Sequence, residues 1–302
     1  MKERQLGLLP LVLKASFVVM LGFFFPIAYV LLPVFFLTEA VAQGLGKVLL
    51  CFLALCGVLA LLSPLLGLGV LTLFGPLLLI LHYGFVSRAS WDRNVLFGTV
   101  VVFLSMMVLL ISRGAISHLQ DPEFPAQIAK LQEQALIQVG MQGESLQSYV
   151  EALPSLLSEM IGLLPALLLI ASLVLSYATC ALAGRSLRSR GIHVGFPGSL
   201  SSLRLPEGLF LVLFLVLGIT MLFPRAVAPV ESLLMENGQL LVGFLFFVGG
   251  LGFMSYLLER WKMPSFVRNV FLVAMVVLPF FRGFLLTVGL IDYALNIRRL
   301  GH

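Results

Sequence analysis

The fold is decided by residues 266–299, which read FVRNVFLVAMVVLPFFRGFLLTVGLIDYALNIRR. This apolar stretch is longer than the roughly 20 residues that one straight helix needs to cross a bilayer. It nevertheless carries Arg282 near its middle and Asp292 and Asn296 towards its end, before two closing arginines. Ionisable groups at membrane depth are costly, so they are the first candidates for a functional site. The stretch therefore predicts a membrane fold and the residues to follow within it.

The rest of the chain has the same character. Of its 302 residues, 60% are hydrophobic and 11% are charged, and its mean hydropathy is +1.08. A soluble domain carries roughly 25% charged residues, so the missing charge indicates a lipid-facing surface. We therefore predict an all-α, polytopic transmembrane helical bundle. It forms a single membrane-embedded domain over residues 1–302, with the lipid bilayer of the inner (plasma) membrane as its partner.

About eight to ten membrane segments are predicted. Prolines and glycines divide the first part of the chain into four short runs, each of about 16 residues and so roughly 24 Å long as a helix. The hydrocarbon core is roughly 30 Å thick, which leaves open that pairs of these runs merge into single broken helices. The predicted segments are 9–24, 27–42, 46–62, 65–84, 94–112, 160–183, 207–223 and 239–258, followed by the long run 264–297.

One long polar stretch, 113–159, interrupts the apolar runs. From Asp121 to Glu159 it holds six acidic residues against one base, Lys130. Apolar residues recur within it at helical spacing, as at Leu146, Val150, Leu153 and Leu157. The stretch predicts an extracytoplasmic insertion of two amphipathic helices, which either lie on the outer membrane face or form a cap over the bundle.

The orientation follows from the basic loop 184–206, which contains no acidic residue. Loops rich in arginine and lysine stay on the cytoplasmic side, so this loop is predicted inside. Alternation then places 113–159 outside and both chain termini in the cytoplasm. The C-terminus is inside only if 264–297 is a hairpin with its outer tip at Pro279 to Gly283. The arginines of the basic loop are Arg185, Arg188, Arg190 and Arg204.

No catalytic, cofactor-binding or metal-binding residues are predicted, and we expect a protein that is not an enzyme. The nearest approach to a phosphate-binding loop, QGLGKVLL, has Val48 after Lys47 and lacks the hydroxyl that would hold magnesium. The cysteines and histidines are scattered rather than grouped at metal-ligand spacing. The net charge of +5 lies in short loops between apolar runs, which argues against nucleic acid as a partner.

Three candidate residues remain, and each has two interpretations. Arg282 meets headgroups or water if it lies at a hairpin tip, which is the favoured interpretation; in a single broken helix it needs an acid such as Asp292. Asp292 and Asn296 are four residues apart and so share one helical face, with Arg299 near. They form either a polar cluster that satisfies itself and pins the C-terminus, which is favoured, or a face that contacts a solute or proton in a cavity.

The ending VGLIDYALNIRR resembles the C-terminal signature of the YybS-like family of bacterial integral membrane proteins. The N-terminal order of an apolar run, then PIAYVLLPVFFLTEAVAQGLG, then short glycine-broken spans is also similar to that family. The chain departs from the pattern at Ile297, where the family often has an aromatic residue. The residues that carry the C-terminal pattern are Gly289, Asp292, Asn296, Arg298 and Arg299.

The YybS-like family is in turn distantly similar to the substrate-binding (S) components of energy-coupling-factor transporters. This resemblance implies a bundle that binds a small molecule, with ATPase and coupling subunits supplied in trans; no ligand-contacting residue carries over. The leading hypothesis is therefore a small-molecule-binding transmembrane subunit of an uptake transporter. The rival is a non-transporting scaffold or regulatory protein, whose loop 184–206 engages a cytoplasmic partner or anionic headgroups.

Overall fold

A computed structural model describes residues 8–115, 119, 121, 123–138, 140, 144–195, 200–202, 218 and 231–298. These residues form eleven α-helices and no strand, which confirms the predicted all-α bundle. Five helices are long and apolar enough to cross a membrane, and the last two helices together make a sixth candidate. The predicted segment 207–223 lies outside the described residues, apart from position 218.

The helices follow one another in simple order along the chain. A short 3₁₀ helix, Pro26–Val30, precedes α2, and another, Leu200–Ser202, follows α8. The α-helices are α1 (Leu8–Phe24), α2 (Leu31–Gln43), α3 (Leu45–Leu62), α4 (Pro64–Val86), α5 (Trp91–Ser112), α6 (Phe124–Gln138), α7 (Glu144–Gly162), α8 (Leu164–Ser189), α9 (Glu231–Arg260), α10 (Ser265–Val277) and α11 (Phe281–Leu295).

The first four predicted runs are four separate helices, α1 to α4. Gly44 ends α2 with a φ of 98°, a left-handed conformation that a glycine adopts without strain. Pro64 begins α4 at its first position, where its missing N–H costs no helical hydrogen bond. The Ser63 hydroxyl caps this helix by accepting a hydrogen bond from the Leu66 N–H at 3.4 Å. Gly44 and Pro64 are among the glycines and prolines that divide the first part of the sequence into four runs.

Two helices are longer than their predicted segments. Helix α8 continues to Ser189 instead of ending at residue 183, so Arg185 and Arg188 lie in its last turns rather than in a loop. Arginine is a good helix former and is favoured near the negative C-terminal end of the helix dipole. Helix α9 begins at Glu231 instead of residue 239.

Helix α8 lies at the centre of the N-terminal bundle, against α2 and α5. Its small residues Ser172, Ser176, Cys180 and Gly184 recur at every fourth position and are buried. A Cβ added at Gly98 of α5 would lie only 3.0 Å from the Ser176 hydroxyl oxygen. At Ser176 the row of small residues therefore allows a close helix–helix contact.

The charged loops of this bundle meet at one end. Arg190 after α8 forms an ion pair with Glu39 of α2, at 2.8 Å between Nη2 and Oε1. In the same region a Cβ at Gly195 would lie 3.2 Å from the Ala89 carbonyl oxygen in the α4–α5 loop. The predicted alternation also places these loops on one side. That this side is cytoplasmic stays a prediction, as does the external position of 113–159.

The C-terminal helices α9 and α11 pack backbone against backbone. A Cβ at Gly289 would overlap the Phe246 carbonyl oxygen, and one at Gly250 would overlap the Leu285 carbonyl oxygen. Helices α10 and α11 are bent by 108° at residues 278–280, just where the hairpin tip was predicted to begin. The long run 264–297 is therefore two short arms around Pro279 rather than one straight crossing.

The close backbone packing at Gly289 predicts that two glycines of α11 respond differently to substitution by alanine. Gly289→Ala should destabilise the protein by about 1–3 kcal/mol, because the added methyl group meets backbone atoms that have no side-chain freedom to yield. Gly283→Ala is the matched control: its Cβ meets nothing within 4 Å. The control should be neutral or slightly stabilising, since alanine favours helix more than glycine does. Thermal unfolding of the purified variants in detergent measures both, and equal stabilities would contradict the packing.

Candidate functional site

The end of α11 brings the acidic candidate residue to a basic partner. Asn296 ends the helix in the left-handed conformation, with φ 46° and ψ 47°, and its N–H donates to the Asp292 carbonyl at 2.9 Å. Asparagine tolerates this conformation better than most residues, and a left-handed residue is a common helix stop. The chain then turns back, and Arg298 lies beside the Asp292 carboxylate.

Asp292 and Arg298 form a buried ion pair. Arg298 Nη2 lies 2.7 Å from Asp292 Oδ2, and Arg298 Nε donates to the same oxygen at 2.9 Å. The two side chains are only 7% and 5% exposed, respectively. Arg298 Nη1 approaches α9 at Gly252, where a Cβ would lie 2.9 Å from it. A side chain at position 252 would therefore collide with the guanidinium group.

The ion pair continues into a larger charge network. Arg298 Nη1 donates to the Ser201 carbonyl oxygen at 3.0 Å, and the Ser201 hydroxyl donates to Glu259 Oε2 at 2.5 Å. Arg268 Nη1 lies 2.6 Å from Glu259 Oε1. These five residues, the C-terminal charge network, join α9, α10, α11 and the 200–202 turn. Opposite charges alternate along it, so each acid has a basic neighbour.

The three predicted candidates are not brought together. Asp292 is buried, Asn296 is exposed and serves as the helix stop, and Arg282 is exposed near the start of α11. Among the described residues Arg282 makes no ion pair, and Asp292 Oδ1 is buried without a hydrogen-bond partner. Asp292 is paired with Arg298, and Arg299 lies outside the described residues. This geometry favours a cluster that holds the C-terminus over a solute-contacting face.

The contribution of Ser201, Glu259 and Arg268 was not foreseen. Glu259 and Arg268 are visible in the sequence only as a charged boundary between two apolar runs. Ser201 lies far from Arg298 along the chain, and only the tertiary fold brings its carbonyl oxygen to the guanidinium group. No local spacing could have signalled this contact.

A second candidate site is an apolar crevice of about 720 Å³ on the N-terminal bundle. It lies between the 3₁₀ helix, α4, α5 and α8, and it opens to the surface. Its polar groups are essentially the hydroxyls of Tyr29 and Ser63, and neither Asp292 nor Asn296 lines it. The lining residues are Tyr29, Val30, Ser63, Leu65, Leu66, Gly69, Val70, Leu73, Phe74, Met106, Leu109, Ala171 and Leu175.

The part of the chain that the structure describes holds no group of three or more histidine, cysteine, aspartate or glutamate side chains that could hold a metal ion. Cys56 and Cys180 are buried, and Cys51 is partly buried. What the two sites offer chemically is therefore ion pairing in one and apolar burial in the other.

The ion pair predicts non-additive effects on stability. Arg298→Met should cost about 3–5 kcal/mol, because it leaves the Asp292 carboxylate buried without its partner. The double variant Arg298→Met/Asp292→Leu should lose much less than the two single variants summed, since an apolar pair carries no uncompensated charge. Exposed Arg282→Met, the control, should change stability by less than about 0.5 kcal/mol. Unfolding by SDS in mixed micelles measures all four, and additive losses would contradict the pairing.

Comparison with known proteins gives one match. A family model described as "Predicted membrane protein (DUF2232)" matches residues 11–293, nearly the whole chain. A search of curated proteins and a search of solved structures each returned no match. The match agrees with several membrane-crossing helices and carries no statement about a ligand or a reaction. The chain therefore belongs to the DUF2232 family of predicted membrane proteins.

Proposed function

We propose that the protein is a transmembrane subunit of the inner membrane that binds an apolar small molecule for uptake. The observation that carries the proposal is the crevice of about 720 Å³ between the 3₁₀ helix, α4, α5 and α8. Small-molecule sites are typically clefts of roughly 300–1,000 Å³ with mostly apolar walls and a few polar groups. The crevice has this size and this lining.

The lining defines the class of ligand. Almost every wall residue is aliphatic or aromatic, and the Ser63 hydroxyl already accepts a hydrogen bond from the Leu66 N–H. A charged solute would lose its hydration there without gaining a partner, at a cost of several kcal/mol. A hydrocarbon-rich molecule with at most one small polar group fits these walls. The Tyr29 hydroxyl could form a hydrogen bond with that polar group.

The proposal places the ligand away from Asp292 and Asn296, which the sequence offered only as the alternative to a polar cluster that satisfies itself. Asp292 and Arg298 pair with each other at 2.7 Å, which leaves the carboxylate little reason to bind a solute. The energy for uptake would come from ATPase and coupling subunits in trans, as the resemblance to the YybS-like family and to transporter S components implies. That part of the proposal rests on likeness alone.

Filling the crevice should abolish ligand retention. Gly69 lines the crevice, and a Cβ there meets nothing within 4 Å, so Gly69→Trp can occupy the space without displacing neighbours. Gly57→Trp is the matched control, because Gly57 on α3 is equally open but does not line the crevice. Native mass spectrometry of protein extracted from membranes should show an apolar adduct on wild type and on the control, and at least tenfold less on Gly69→Trp. Equal retention in all three would overturn the proposal.

The rival function, a scaffold or regulatory protein, is favoured by one feature. The end of the bundle where α2, α8 and the α4–α5 loop meet exposes Arg88, Arg93 and Arg185. Of the acids at this end, Glu39 is paired with Arg190, and exposed Asp92 adjoins Arg93 in the chain. Such an end could receive an acidic cytoplasmic protein, although it is also what membrane orientation alone produces.

A photo-crosslinking comparison separates the rival from the main proposal. A crosslinker at position 88 should give one defined protein band in cells if the basic end engages a partner, and Arg93→Gln/Arg185→Gln should reduce that band several-fold through lost charge pairing. The control crosslinker replaces Arg113, an exposed arginine at the other end of α5. A band that persists in Gly69→Trp supports the rival, and equal labelling from 88 and 113 contradicts it.

A further inference from the structure

The helical path from α7 to α8 is interrupted where the polar insertion meets the bundle. Helix α7 ends at Gly162 and α8 begins at Leu164, with Pro165 in its first turn. Proline has no N–H to donate, and its ring collides with the carbonyl four residues earlier in a continuous helix. The break leaves the Gly162 carbonyl and the Ala166 N–H apart, although these two groups would bond to each other in an unbroken helix.

Asn237 of α9 supplies the partner that each of these groups has lost. Its Oδ1 accepts a hydrogen bond from the Ala166 N–H at 2.8 Å, and its Nδ2 donates to the Gly162 carbonyl oxygen at 2.8 Å. The Asn237 side chain is buried, and Nδ2 also donates to the Leu233 carbonyl at 2.8 Å. The amide thus completes the interrupted helix, and the chain can change direction without a buried unpaired group.

Helix α7 carries an apolar stripe that no other part of the described chain covers. Ala152, Leu156 and Met160 follow helical spacing and are exposed, with Leu156 at 51% and Met160 at 57%. The stripe begins after Tyr149, whose hydroxyl donates to Gln132 Oε1 of α6 at 3.3 Å. The neighbouring face, with buried Leu153, packs mainly on α6. The stripe is therefore separate from the surface that holds the two insertion helices together.

We propose that α7 lies along the bilayer surface, with this stripe at the boundary between headgroups and acyl chains. The stripe ends at Met160, about one turn, or roughly 6 Å of helix, before the membrane-crossing helix α8. Beyond the break, α8 itself exposes apolar side chains such as Leu167 and Val174. The break at Asn237 lets the chain turn from the interface into the membrane.

Charge indicates how α7 is held there. Glu151 lies on the side of α7 opposite the stripe, and Glu159 flanks the stripe; both are exposed. These acids gain nothing from anionic headgroups, so attachment rests on burial of the apolar stripe and needs only a zwitterionic bilayer. This also distinguishes α7 from interfacial helices that are held by lysine and arginine.

Lipid quenching tests the proposal on the full chain in phosphatidylcholine vesicles. A bimane probe on Met160→Cys or Leu156→Cys should lose fluorescence roughly twofold when the acyl chains are brominated, because the stripe is buried among them. Ser158→Cys is the matched control, exposed on the opposite side of α7, and should be unchanged. All variants carry Cys51→Ala, since Cys51 is the partly exposed native cysteine. Equal quenching at positions 156, 158 and 160, or none, would overturn the proposal.

A second variant tests the role of the break. Asn237→Ala removes both bonds to the interrupted helix, so quenching at position 160 should fall towards the value at position 158. Unchanged quenching at position 160 would show that the Asn237 amide does not direct α7. If this variant does not fold, the comparison of positions 156, 158 and 160 in the Asn237 background still decides where α7 lies.

Discussion

Within a bilayer every backbone N–H and C=O must find its partner inside the protein, and three helix ends in the described part of the chain meet that demand. At the α3–α4 break the Ser63 hydroxyl accepts from the Leu66 N–H. At the α7–α8 break the Asn237 amide takes both freed groups. At the end of α11 the left-handed Asn296 donates back to Asp292. Short helices are tolerated because their ends are closed in this way.

The same demand explains why the C-terminal charges belong together. Once Asn296 turns the chain, the Arg298 side chain is buried and needs an acid or a carbonyl oxygen as a partner. It meets both, the Asp292 carboxylate and the Ser201 carbonyl, and Glu259 and Arg268 extend the network to α10. Gly250, Gly252 and Gly289 allow the helices to approach closely enough for these contacts. Removing one partner leaves the other charge buried and unpaired, whereas replacing both partners by apolar side chains does not. Stability measurements distinguish the single variants from the double variant.

Local signals were enough to predict most of the fold. Proline and glycine positions divided α1 to α4 correctly, and helical spacing located the two insertion helices, because helix breaks and amphipathic faces are local properties. The ends of α8 and α9 were predicted short, since polar residues within a helix look like loop residues in a hydropathy profile. The pairing of Asp292 with Arg298 depends on the left-handed turn at Asn296. Asn237 was missed because its partners lie more than seventy residues away.

The sequence could not predict the crevice, because the crevice arises from how the 3₁₀ helix, α4, α5 and α8 pack against one another. Its walls at Gly69, Met106 and Ala171 look like any other apolar helix positions in the sequence. Polar residues drew attention to the C-terminus, where the Asp292 carboxylate pairs with Arg298, while the crevice lies among apolar helix positions. A charge that is already paired within the fold gains little from binding a solute, so the paired residues indicate a binding site less strongly than the apolar crevice does. On the proposed function, the ligand therefore binds beside Tyr29 and Gly69 rather than beside Asp292.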